Sequence, residues 1–168
     1  MRVRTASLDD AAEIGRLLKR AFPTLMASAY GPESLAAALP VVTKVNTDLL
    51  KSGTYYVAEE EGSGCMLGCG GWTLERPGTT EITPGLAHLR HFATDPAFAR
   101  KGVGRAIFGE CARAAAKAGA KMFQAYSSFN AEPFYKGIGL VPVGWIELPL
   151  APDISLPAVV MEGPIRTG

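Results

Sequence analysis

Phe92-Ala-Thr-Asp-Pro-Ala-Phe-Ala-Arg-Lys-Gly-Val-Gly-Arg105 decides how the chain is read. An apolar strand, Ala87 to Thr94, runs into a turn, a Gly-x-Gly loop and then the start of a helix. Gly102 and Gly104 lack a Cβ, so a ligand can come close to the backbone there. N–H groups in the first turn of a helix have no partner inside it, and the helix dipole favours an anion in front of them. Arg100, Lys101 and Arg105 add positive charge. The segment Arg100-Lys-Gly-Val-Gly-Arg105, Val103 included, therefore reads as a site for a phosphate or pyrophosphate. A Walker A loop would need G-x-x-x-x-G-K-[ST], which does not occur. A dinucleotide fingerprint would need a third glycine where Ile107 stands.

Outward from the loop, the chain alternates strands and helices. Arg2 to Ala6 reads as a strand, and Ser7-Leu-Asp-Asp10 as a capping-box start. Ala11, Ile14, Leu18 and Ala21 give the next helix an apolar face, with Pro23 placed after its end. Pro32 and Pro40 interrupt the stretch from Thr24 to Leu50, leaving room for a helix or two around Ser34–Leu39 and Val42–Lys51. Thr54–Ala58 and Met66–Leu74 are strands, the second softened by Gly68, Gly70 and Gly71. Past the loop, Val103, Ile107, Cys111, Ala114 and Ala118 share a helix face, and Gly119 stops that helix. Lys121–Ser127 is a strand and Ala131–Lys136 a short helix. Val141–Leu150 and Ala158–Ile165 pair as a hairpin, with Pro149, Pro152 and Pro157 in its connection. The order βααβββαβαββ predicts an α+β fold with a mixed central sheet.

Composition narrows the function. A chain of 168 residues is expected to form one domain, 1–168. Its 17 basic residues nearly balance 16 acidic ones, which argues against nucleic acid or a membrane surface as partner. No apolar run approaches the ~18 residues of a membrane span. Met1-Arg-Val-Arg-Thr5 lacks the apolar core of a signal peptide. Cys65, Cys69 and Cys111 form neither a disulfide framework nor a zinc motif, so no metal and a reducing cytoplasm are expected.

Two motifs together resemble the GNAT N-acetyltransferases over nearly the whole chain. Pro96 to Arg105 is similar to the family's V-x-P-x-x-R-x-x-G-x-G tract. About 26 residues past Gly104, Asn130-Ala-Glu-Pro-Phe-Tyr-Lys-Gly-Ile-Gly-Leu140 is similar to N-A-x-x-F-Y-x-x-x-G-F. The family's Gln or Arg three residues before the first motif glycine falls on Ala99, with Arg100 one residue later. The resemblance implies the GNAT fold, in which the strand before the loop and the strand after the helix splay apart. It implies acetyl-CoA as acyl donor, with the pantetheine arm along Phe92, Ala93 and Thr94, contacted by Asn130. Asparagine is also a common N-cap, and both roles can hold at once. The activity implied is acetyl transfer to a primary amine, on a small molecule or a peptide, by direct attack. A homodimer is among the states the family adopts. The competing readings are a non-catalytic acyl-CoA sensor and a binder of another phosphorylated ligand.

Such a transfer sets two proton problems. A lysine-like amine is mostly protonated at pH 7, and freeing it costs roughly 3.4 pK units, about 4–5 kcal/mol. The leaving thiolate needs a proton or charge stabilisation. Tyr135 matches the tyrosine of the family's F-Y pair and is the candidate acid. His88 falls where several family members carry a Glu or His relaying the amine proton, and the tract Ala87-His-Leu-Arg90 resembles their arylalkylamine acetyltransferases. Strand alternation puts Arg90 on the face of His88 and His91 on the other. Glu75, Glu81 and Glu147 are candidate acceptor-site acids. Tyr30, Trp72 and Trp145 are candidates for lining an acceptor pocket between the first helices and the C-terminal hairpin, although packing alone would also explain them.

Overall fold

The computed structural model describes residues 1–167. Seven strands form one sheet: β1 (Arg2–Thr5), β2 (Tyr55–Glu59), β3 (Met66–Thr73), β4 (Leu86–Thr94), β5 (Met122–Ser127), β6 (Val141–Ala151) and β7 (Ile154–Pro164). Their spatial order is β1-β2-β3-β4-β5-β7-β6. Every pairing is antiparallel except β4 with β5. That parallel pairing needs a crossover, and α4 (Val103–Lys117) supplies it. The remaining helices are α1 (Ala11–Met26), α2 (Pro32–Val42), α3 (Thr47–Lys51) and α5 (Glu132–Gly137).

Both faces of the sheet are covered. On one, Val103, Ile107, Cys111, Ala112 and Ala115 of α4 and Tyr135 of α5 pack with Ala87, Leu89, Phe123, Ala125 and Met161. On the other, Ile14, Leu17, Leu18 and Ala21 of α1 and Leu49 and Leu50 of α3 pack with Tyr55, Val57, Cys69 and Ala93. Burying a Leu or Ile side chain stabilises by about 1.5–3 kcal/mol, so these two layers hold the sheet between them. At its start, Ser7 donates its N–H to Asp10 Oδ2 at 2.8 Å, and Arg4 bridges Asp10 and Glu59.

Several expectations need correction. Pro23 lies inside α1, three residues before its end. It removes one donor from the last turn, which does not stop a helix already anchored by its buried face. Pro32 starts α2 at its first turn and Pro40 sits within it, so this helix runs longer than Ser34–Leu39. A separate short α3 follows, capped by Asn46 Oδ1 accepting from the N–H groups of Asp48 and Leu49. The order thus has three helices before β2. On α4 the buried stripe turns to Ala112 and Ala115, leaving Ala118 exposed, because 3.6 residues per turn drift off a strict four-residue step. The C-terminal strands are longer than expected and turn over Pro152-Asp153 alone. Pro149 sits on β6, the edge strand. Pro157 sits on the part of β7 beyond its last pairing with β5, at Val159. Proline is tolerated at both places because one side of the strand has no partner to bond.

Candidate active site

Two features of β4 shape the site. Its pairing with β5 covers only Leu86, Ala87 and His88, opposite Met122, Phe123 and Gln124. Beyond His88 the two strands part, leaving a seam where the β5 side of β4 has no sheet partner. The second feature is a bulge. Arg90 pairs with Gly71 and Ala93 with Cys69, so His91 and Phe92 together oppose Gly70. His91 takes up the extra residue in the left-handed region, φ 54°. Gly70 is required there: a Cβ would stand 2.7 Å from the Phe92 ring.

The bulge corrects the alternation expected for the histidines. Ala87 and Leu89 face α4, so His88 and Arg90 face α1 and α3. His91 does too, since its Nε2 lies 3.0 Å from the Val42 carbonyl of α2 and its ring 5.7 Å from that of Phe22 of α1. Without the bulge it would have joined Leu89. Phe92 is turned to the other face, 5.8 Å from the Phe134 ring and 6.4 Å from that of Tyr135.

At the end of β4 stands the loop. Asp95 accepts from the Ala97 N–H at 3.0 Å and pairs with Arg20 of α1 at 3.1 Å, fixing the turn. Arg100 (φ 62°) and Gly102 (φ 83°) are left-handed; for Arg100 that geometry costs about 1 kcal/mol or more. The first backbone bond of α4 runs from the Ala106 N–H to the Gly102 carbonyl at 3.0 Å. The N–H groups of Val103, Gly104 and Arg105 therefore stand ahead of the helix ladder. A Cβ on Gly104 would stand 2.7 Å from Phe134, so its glycine lets the loop close on α5. Lys101 Nζ lies 5.6 Å over the Phe98 ring. The Arg105 guanidinium donates to the Gly137 carbonyl at 3.0 Å, at the end of α5, so its side chain already ties two elements together.

Tyr135 is buried at 6 % exposure on the α4 side of the seam. Burial pushes its phenol well above the usual range. It stays protonated at neutral pH, and a hydroxyl so placed donates a hydrogen bond to a developing anion more readily than it gives up its proton outright. Asn130 is not the cap expected: Ala131 occupies the cap position of α5, and Asn130 Oδ1 is buried without a partner among the described residues. A buried, unpaired amide oxygen is costly unless a ligand donates to it. The seam, the free N–H groups and this oxygen fit an arm bearing amides and a pyrophosphate. Tyr30 fastens the segment before Asn130, accepting from the Phe129 N–H at 3.1 Å and donating to the Pro157 carbonyl at 2.8 Å.

His88 lies on the opposite face, 3 % exposed. Its register continues across the sheet from Thr73 through His88 and Gln124 to Glu162, where Gln124 Nε2 donates to Glu162 Oε2 at 2.9 Å. Burial pushes the imidazole below its usual value, and Arg90 and Arg76 push the same way against Glu162. It is neutral at pH 7.

The aromatic candidates for the acceptor pocket are placed otherwise. Trp72 is buried in the core beside α4, Tyr30 is held by its two hydrogen bonds to the backbone, and Trp145 lies 70 % exposed on the edge strand. A cavity of about 890 Å³ opens instead between α3 and the β3–β4 connection, lined by Asp48, Ser52, Thr73, Glu75, Glu81 and Arg90. Glu147 is apart from it, accepting from Ser155 Oγ at 3.2 Å. Residues of α3 were not among the sequence candidates; the polar run Asn46-Thr-Asp48 was their only signal.

A seam beside a bulged strand, a glycine loop at a helix start and a buried tyrosine together define an acyl-CoA-type transferase site. The chain belongs to the GNAT acetyltransferases, since residues 51–140, over half its length, match the family's acetyltransferase (GNAT) domain. It is an acyltransferase, and acetyl-CoA is the donor in this family. No curated protein matches the chain by sequence. Among solved structures, it is similar to the PaiA N-acetyltransferase of Thermoplasma acidophilum in complex with coenzyme A, at 14% identity and a TM-score of 0.72, covering 97% of this chain and 98% of that one. It is also similar to a GCN5-related N-acetyltransferase of Rhodopseudomonas palustris, at 18% identity and 0.73, covering 97% and 94%. A third is the ribosomal-protein-S18-alanine N-acetyltransferase of Escherichia coli, at 17% identity and 0.60, covering 99% and 95%. At these identities the likeness shows the fold. Among the described residues, no helix is long and apolar enough to cross a membrane.

Proposed function

We propose that the chain is a single-domain N-acetyltransferase that moves an acetyl group from acetyl-CoA to a primary amine by direct attack in a ternary complex. The observation that carries this reading is the seam with a buried protic group on each face of the sheet: the Tyr135 hydroxyl on the α4 side and the neutral His88 imidazole on the α1 side.

In this reading acetyl-CoA supplies the activated acyl group as a thioester. The N–H groups of Gly102, Val103, Gly104 and Arg105 hold its pyrophosphate, with Arg100 and Lys101 screening the charge. The backbone of Phe92, Ala93 and Thr94 bonds the pantetheine amides, and Asn130 Oδ1 accepts from one of them. His88, held neutral, takes the proton from the acceptor ammonium, directly or through water, which frees the lone pair that attacks. The Tyr135 hydroxyl would stabilise the thiolate as the C–S bond breaks, and the thiolate takes up the proton that the attacking nitrogen loses on becoming an amide, so that CoA leaves as its thiol. Neither buried cysteine takes a role: burial raises Cys69 to about 11 and Cys111 higher still, so neither is a thiolate at pH 7. A reducing cytoplasm suits these free thiols, and the acceptor is a small molecule or a peptide amine.

Thiol release from acetyl-CoA with a panel of arylalkylamines, polyamines, amino acids and short peptides tests the reading. Acceptor-dependent release that falls in Tyr135→Phe supports it. Tight acetyl-CoA binding with no release from any acceptor would favour the sensor.

A further inference from the structure

The guanidinium of Arg90 is underused. It is partly buried, in the middle of the sheet, yet among the described residues its hydrogen bond is a single one, from Nη1 to Thr73 Oγ1 at 3.0 Å. No carboxylate among the described residues lies within ion-pair distance, although Arg2, Arg4, Arg20, Arg76 and Arg113 all have such a partner. A guanidinium carries five N–H donors, and a charge withdrawn from water is costly unless paired. Arg90 also lines the 890 Å³ cavity, so its free donors have room for a ligand. It shares a face with His88, two residues and roughly 7 Å away along β4.

We infer that Arg90 is a specificity-determining residue that binds the carboxylate of the acceptor, so that the acceptor is an amino acid or other small aminocarboxylate. This rests on the transferase reading above. Guanidinium and carboxylate match as a two-bond fork, which fixes orientation as well as adding energy. An acceptor held this way by its acid end presents its amine within reach of the face that carries His88. Asp48, Glu75 and Glu81 stand exposed around the mouth of the same cavity. They oppose a plain anion and are compatible with a zwitterion, whose ammonium compensates its carboxylate. A diamine would meet the same rim with favourable charge but would bring a second cation to Arg90.

Binding to the CoA-saturated protein tests this without turnover. Calorimetry is run with glycine, β-alanine, phenylalanine and γ-aminobutyrate, each beside its methyl ester, with putrescine as the diamine. The expected result is at least one free acid binding about tenfold or more tighter than its ester and than putrescine. Arg90→Gln should erase that preference and Arg90→Lys should keep part of it. If no acid outbinds its ester, or if putrescine binds tightest, the inference is overturned, and this comparison needs only the unaltered protein. An acid preference that survives Arg90→Gln would overturn it too. Thiol release with the same panel reports separately on the transferase reading.

Discussion

The Tyr55 hydroxyl donates to the His91 carbonyl at 2.8 Å, from β2 across β3 to the bulge of β4. Tyr55 is 2 % exposed, and its burial raises the phenol well above the usual range, so it remains a donor. The bond holds the left-handed residue that turns Phe92 towards Tyr135. Tyr55→Phe should cost about 1–2 kcal/mol, the penalty for a buried carbonyl left unpaired. Urea denaturation should show the midpoint falling with an unchanged slope. A variant as stable as the parent would mean that the bulge holds itself.

Removing the hydroxyl at the seam should act on rate alone. Tyr135→Phe is expected to lower kcat about 100-fold while leaving the KM for acetyl-CoA within about twofold. Steady-state kinetics against both substrates checks this. An equal rise in KM would point to a packing role for the ring.

Asn130 should behave in the opposite way. Its Oδ1 has no partner to lose among the described residues, so Asn130→Ala should leave the melting temperature nearly unchanged. Affinity for CoA should fall about tenfold, the worth of one buried hydrogen bond. Calorimetry and thermal unfolding of one sample separate the two effects. Unchanged CoA affinity would remove Asn130 from the donor site.

The two histidines make stability depend on pH. Burial leads in lowering both, with Arg90 adding to each. At the Val42 carbonyl, His91 gains a bond that opposes the shift. The unfolded chain then binds protons near pH 6.5 that the folded chain refuses, so stability is full above that value and declines as pH falls below it. Denaturation at pH 8 and at pH 5.5 should show this loss, and His88→Gln should reduce it. The same shift puts the acid limb of kcat/KM below 6.5, and His88→Ala should remove that limb along with most of the rate. A variant keeping both would exclude the histidine as base.

Gly104 offers a steric check. A Cβ there would stand 2.7 Å from Phe134, a ring already packed on Phe92 and Tyr135. Gly104→Ala should weaken CoA binding and lower stability by about 1–3 kcal/mol through overpacking. Phe134→Leu in the same chain should restore part of both.

What could be read from the sequence was whatever local chemistry determines. Gly102, Gly104 and the helix pattern after them marked the loop, and the apolar runs located all seven strands. Tyr135 packs near Phe92 of β4 and Gly104 of the loop against Phe134, while His88 stands on the other face of the sheet. The bulge stayed hidden, because it depends on Gly70 of β3 yielding space to Phe92 of β4, a contact between strands that no single-strand pattern records. Strict alternation therefore put His91 on the wrong face. Pro149 and Pro157 misled in the same way: whether a proline ends a strand depends on which flank lacks a neighbour, and that is a property of sheet order. The unpaired donors of Arg90 were equally invisible, since its lack of an acidic partner is a fact of three dimensions.

The three-residue contact between β4 and β5 also has a mechanical side. It divides the sheet into a four-stranded plate and a three-stranded plate that share backbone bonds only at one corner. In the binding mode proposed above, an acyl donor between them would act as a keystone, filling the gap where β4 and β5 cannot bond to each other. Cohesion of the two halves should then follow the metabolic supply of that donor: at a hundredfold excess over Kd, folding gains about 2.7 kcal/mol. A cell short of acyl donor would hold this protein in a looser and more easily digested form.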